Sequence, residues 1–115
     1  MDLIKLIIEG IQERKGHSIT VVDLSAIESA AASTFIIAEG NSTTQTAAIA
    51  DSVVEYVRGK SGIKPYGIDG EDTCDWVIVD YGDVWVHIFM PETRRRYTLE
   101  ELWSDAVITD VPDLD

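Results

Sequence analysis

Residues 76–89 read Trp-Val-Ile-Val-Asp-Tyr-Gly-Asp-Val-Trp-Val-His-Ile-Phe, two runs of β-branched and aromatic residues on either side of Tyr81-Gly82-Asp83. Val77, Ile78, Val79, Val84, Val86 and Ile88 favour extended backbone, and Gly82 supplies the positive φ that a short connection needs. The pattern predicts a β-hairpin. Both strands carry apolar residues on both faces, whereas a hairpin with one wet face alternates apolar and polar, so the hairpin belongs inside a covered sheet.

Alternation along a strand puts Trp76, Ile78 and Asp80 on one side, and Trp85, His87 and Phe89 on one side of the second strand. Two indoles, an imidazole and the aromatic turn residue Tyr81 are therefore expected in one small region. Trp85 and Phe89 fit an aromatic core as well as a contact surface. Trp76, Asp80, Tyr81 and Asp83, at the strand end and turn, read as a surface that binds something, since amphipathic aromatics beside carboxylates make good contact anchors.

A chain of 115 residues, 45% hydrophobic and 26% charged, makes one ordinary globular domain. No apolar run approaches the roughly 20 residues that span a bilayer, and no basic segment with a small-residue cleavage site opens the chain, so a cytoplasmic location is expected. The net charge of −12 repels phosphate backbones and attracts basic partners. Arg94-Arg95-Arg96 is the local exception, read either as a solvated loop offsetting nearby carboxylates or as a contact to RNA or an acidic neighbour. Cys74 stands alone beside Asp75, which excludes an internal disulfide and a multi-cysteine metal cage. His17 and His87 have no metal-ligand spacing, and neither a metal nor a cofactor is expected.

Taken in order, Asp2 to Lys15 has the three- and four-residue apolar spacing of an amphipathic helix closed by Gly16. Strands are expected at Ile19–Leu24 and Thr34–Ala38, with a short helical turn over Ser25–Ser33. Ser42 and Gln45 have the spacing of a capping box, opening a helix that ends near Gly59. Gly40-Asn41-Ser42 before a helix start also suits an anion, but without a Gly-x-x-x-x-Gly-Lys loop and beside Glu39 the cap alone explains these residues. Lys60–Thr73 reads as a loop with one short strand. Pro91-Glu92-Thr93 ends the hairpin, Thr98–Glu101 opens a short helix, and residues 107–115 read as a frayed acidic tail after a domain of residues 1–106. The sum is an α/β domain with a mixed sheet flanked by helices.

The block from Trp76 to Phe89 with Arg96-Tyr97-Thr98-Leu99-Glu100-Glu101-Leu102-Trp103-Ser104-Asp105-Ala106 resembles the ribosomal silencing factor family, the Iojap-like proteins. Val22-Asp23-Leu24, Phe35-Ile36-Ile37-Ala38, Gly40, Ser42, Gln45 and Ala48-Ile49-Ala50-Asp51 fall in the same order and spacing, so the likeness runs from Lys15 to Ala106. Where the family usually has Ala-Asp-Tyr-Phe, this chain has Ala32-Ser33-Thr34-Phe35.

The resemblance implies a fold like a nucleotidyltransferase α/β domain without its active site, and a non-enzymatic translational repressor. Such proteins bind large-subunit ribosomal protein L fourteen and block joining of the two ribosomal subunits, and homodimers occur among them. On that reading Trp76 and Tyr81 are the buried contacts, and Asp80 and Asp83 pair with Lys or Arg of the ribosomal protein. His87 either donates to the partner or is a core histidine. The alternatives are a nucleotide-binding or nucleotidyltransferase-like enzyme, and an adaptor for another basic protein. An enzyme of that kind needs two acids converging on a metal, whereas Asp80 and Asp83 are separated by the turn and Asp75 is isolated.

Overall fold

The computed structural model of the chain describes residues 2–30, 32–98 and 106–114. Nine elements follow one another: α1 (Leu3–Glu13), β1 (His17–Asp23), β2 (Thr34–Glu39), α2 (Thr43–Ser61), β3 (Gly67–Asp69), β4 (Trp76–Asp80), β5 (Val84–Phe89), α3 (Pro91–Tyr97) and β6 (Val107–Val111). The six strands make one sheet in the order β3-β4-β5-β2-β1-β6. β2 and β5 run parallel, and every other neighbouring pair is antiparallel, so the sheet is mixed.

The two faces of the sheet are covered differently. α1 and α2 bury Leu6, Ile7, Ile11, Ile49, Val53 and Val57 against Ile19, Ile36, Ala38, Val77, Val79, Val86 and Ile88. Each fully buried aliphatic side chain of this layer stabilises the fold by about 1.5–3 kcal/mol relative to exposure. The opposite face carries Val22, Leu24, Phe35, Ile37 and Phe89, with Trp76 and Trp85 packed at its margin. α3 lies on this second face: the Arg94 guanidinium reaches Glu39 and Thr20, and Tyr97 meets Trp76.

Local chemistry explains the element ends. Asp2 caps α1 by accepting from the Ile4 amide at 3.0 Å. The Ser42 hydroxyl accepts from the Gln45 amide at 3.0 Å, and the Gln45 side chain returns to accept from the Asn41 amide at 2.7 Å. The same Gln45 donates to the carbonyls of Arg14 and Lys15, tying the start of α2 to the end of α1. The Asn41 and Gln45 amides are thus served by the protein's own side chains, and the Gly40 amide by the Phe89 carbonyl.

Four expectations change. α2 continues through Gly59 and stops at Gly62, whose left-handed backbone forms its C-cap. Residues 25–30 form successive turns, with Ile27 and Ala30 amides donating three residues back. Pro91, read as ending β5, opens α3, where its missing N–H is one the helix start would leave unpaired. Residues 107–115, expected to fray, hold strand β6, which pairs with β1 from Val107↔Asp23 to Val111↔Ile19. Main-chain pairing and the bond from the Ser18 amide to the Asp113 carboxylate at 2.8 Å hold it, and of its side chains only Val111 packs against the core while the other four are exposed. The helix expected from Thr98 lies outside the described residues apart from Thr98 itself, which ends α3 in a left-handed conformation at φ 39°.

Candidate interaction site

The hairpin forms as its sequence requires. Trp76 faces Phe89, Ile78 faces His87 and Asp80 faces Trp85 across β4 and β5, so these six side chains share the second face of the sheet. Gly82 turns the chain at φ 89°. The Asp80 carboxylate accepts from the Gly82 amide at 2.7 Å, and the Trp85 indole donates to the Gly82 carbonyl at 3.1 Å. Asp80 is therefore half-buried and engaged within the turn.

Trp76 is the centre of an aromatic cluster. Its ring lies 4.9 Å from Phe89 and 4.8 Å from Tyr97, centroid to centroid. The indole N–H donates to His87 Nδ1 at 3.1 Å. His87 packs edge-on against Phe35 at 4.5 Å, and is 3% exposed. Burial among aromatic rings pulls its pKa down to about 4, so the imidazole is neutral at pH 7. With Nδ1 accepting, the ring proton sits on Nε2, which has no hydrogen-bond partner among the described residues.

Tyr81 is a correction. It was grouped with the two indoles, yet it follows Val77 and Val79 onto the helix-facing side and joins that core at 7% exposure. Burial pushes its phenol up to about 12, and its hydroxyl has no partner among the described residues. Alternation on β4 carries through the strand end, so the turn aromatic lies on the face opposite Trp76. In the free protein, Tyr81 and His87 are both enclosed by their own chain. Asp83 is exposed, while its carbonyl accepts from the Ser33 amide, the Ser33 hydroxyl and the Thr34 amide. Ser33 and Thr34, the pair that replaces Asp-Tyr, thereby fasten the chain before β2 to the hairpin turn.

The basic run divides as well. Arg94 points inward, pairing with Glu39 at 3.0 Å and donating to the Ser18 carbonyl and the Thr20 hydroxyl, with its side chain 11% exposed. Thr20 in turn donates to Asp110 on β6 at 3.0 Å, so Arg94 links α3, β2, β1 and the edge strand. It is not part of a solvated loop. Arg95 and Arg96 remain exposed on α3.

Two contributors were not singled out from sequence. Tyr97, 46% exposed against Trp76, extends the open aromatic surface. Phe35 supports both Trp85 and His87 from β2. Tyr97 stood inside the motif that carried the family likeness, but its neighbourhood with Trp76 depends on α3 folding back over β4. Among the described residues, no three His, Cys, Asp or Glu side chains gather in a way that would hold a metal ion.

A family model described as ribosomal silencing factor during starvation matches residues 1–115. The chain belongs to this family. The ribosomal silencing factor of Bacillus subtilis is 35% identical over 109 residues, covering 95% of this chain and 91% of that protein. A crystal structure of a protein from Chromobacterium violaceum, 36% identical, superposes with a TM-score of 0.83 and covers 90% of this chain and 87% of that one. The mouse protein named mitochondrial assembly of ribosomal large subunit protein 1 is 40% identical over 72 residues, which are 61% of this chain and 32% of the mouse protein. Half-buried Trp76 and 46% exposed Tyr97 form an aromatic patch at one end of the hairpin, and exposed Asp83 lies at its turn, the other end.

Proposed function

We propose that this protein represses translation by binding the large ribosomal subunit through ribosomal protein L fourteen, and so prevents the small subunit from joining. Membership of the silencing factor family over the full chain carries this reading. The mouse relative, named for assembly of the large subunit, supports the choice of subunit. A net charge of −12 suits a basic ribosomal protein surface rather than exposed RNA. The action is that of a bound obstacle, with no chemical step. A cytoplasmic location and a homodimeric state belong to the same reading.

On this proposal Trp76 is the anchor, and Asp83 guides Lys or Arg of the partner, with Asp80 beside it in the turn. His87 acts from beneath the surface, whereas Tyr81 is committed to the helix-facing core. Arg95 and Arg96 are free to touch ribosomal RNA at the margin, whereas Arg94 is committed inside. The test is co-sedimentation of the purified protein with separated subunits, followed by addition of the missing subunit. The expected result is binding to the large subunit alone, with fewer intact ribosomes formed. Binding to neither subunit defeats the proposal. Trp76→Ala, once shown to be folded, is expected to weaken association by about 2–4 kcal/mol, the range of an interface hot spot. Undiminished binding by that variant would remove this face from the reading.

A further inference from the structure

We infer that His87 is a positioning residue: its Nδ1 acceptor locks the Trp76 indole in the one in-plane orientation that is presented to a partner. Stacking alone leaves that orientation open. Phe89 and Tyr97 lie 4.9 and 4.8 Å from the indole, centroid to centroid, and such ring contacts fix its plane more than its rotation within that plane. The hydrogen bond from Trp76 Nε1 to His87 Nδ1, at 3.1 Å, supplies the missing constraint.

The imidazole is an unfavourable choice for packing. It is buried between Phe35 and Phe89, and accepting at Nδ1 forces its proton onto Nε2, where no acceptor among the described residues meets it. A phenylalanine fills the same layer without burying an orphan N–H. What phenylalanine lacks is an acceptor where the indole N–H ends. A buried polar group left half-satisfied calls for a reason, and the half that is satisfied points at the half-exposed tryptophan. His87 therefore acts on a partner through Trp76, without touching that partner.

The binding part of this inference rests on the proposed function, while the lock itself is tested independently of it. In the nitrogen-15 spectrum of the full chain at pH 7, His87 is expected as the Nε2–H tautomer, and an Nδ1–H tautomer overturns the lock. The Trp76 indole proton, assigned by its loss in Trp76→Phe, is expected to exchange with solvent about tenfold faster in His87→Phe, the change that one net hydrogen bond supplies. Unchanged exchange in a folded His87→Phe variant also overturns it.

For binding to the large subunit, His87→Phe is expected to weaken affinity about tenfold, the effect of releasing one ordered side chain. In a Trp76→Phe background the same change is expected to cost no more than about twofold. Equal losses in both backgrounds mean that His87 does not act through Trp76, and the inference fails. If the wild type binds no large subunit, the proposed function falls, and the tautomer and the indole exchange still decide the lock.

Discussion

Tyr81 and His87, at the turn and in the middle of the hairpin, each bury a polar atom that finds no partner among the described residues. For Tyr81 the hydroxyl adds nothing that the helix-facing core uses. Removing a buried, unsatisfied group relieves its desolvation, so Tyr81→Phe is expected to stabilise the fold by about 1 kcal/mol in urea denaturation. Destabilisation by a similar amount would show that the hydroxyl is satisfied after all. His87 is expected to reveal itself through pH. In the unfolded chain it takes up a proton near 6.5, and in the fold only near 4, so between those values the unfolded state binds more protons. Its contribution is complete above pH 6.5 and is lost as pH falls toward 4, by as much as about 3 kcal/mol. The aromatic side chains around it bring no charge that would offset this. Denaturation midpoints of the wild type and His87→Phe at pH 7, 6, 5 and 4 isolate that slope from the carboxylates common to both. Parallel curves would mean that the imidazole titrates normally in the fold.

The β3–β4 connection has a backbone constraint that no contact pattern replaces. Gly70 sits at φ 87°, and a Cβ there would lie 2.0 Å from the Trp76 carbonyl oxygen. Both the left-handed conformation and the collision with main chain oppose any side chain, so Gly70→Ala is expected to cost at least about 2 kcal/mol. The damage should centre on β4, with amide exchange rising from Gly67 to Asp80 before α1 and α2 are affected. Uniform loss of protection would place the constraint in the whole fold instead. Elements governed by local chemistry were legible in the sequence: the capping box at Ser42, the period of α1, and the hairpin with its turn at Gly82. Alternation also assigned Trp76, Ile78 and Asp80 correctly, and the same count from Val77 and Val79 already puts Tyr81 on the other face. What could not be read depends on distant neighbours. β6 carries Asp110 and precedes Pro112, so only its pairing with β1 identifies it as a strand. Arg94 looked solvated because Glu39 is 55 positions away in the chain.

The molecule as a whole sets two demands against each other. Twenty-one acidic residues oppose nine basic ones, so the protein approaches a particle made largely of phosphate with a charge of its own sign. The proposed docking through ribosomal protein L fourteen resolves the conflict if the encounter is local. With a Debye length of about 10 Å at 0.1 M salt, the charges near the contact dominate over the distant RNA. Asp83 and its neighbours then see the basic protein surface while most phosphates are screened. Raising monovalent salt from about 0.1 to 0.5 M should therefore slow association about tenfold while leaving dissociation nearly constant, since the aromatic anchor governs the latter. Asp83→Asn should lower the association rate and flatten its salt dependence. The opposite sign is equally informative: association that quickens with salt would mean that repulsion from RNA dominates the encounter. The contact would then have to lie against ribosomal RNA, where exposed Arg95 and Arg96 on α3, rather than the hairpin face, would be the side chains suited to hold it.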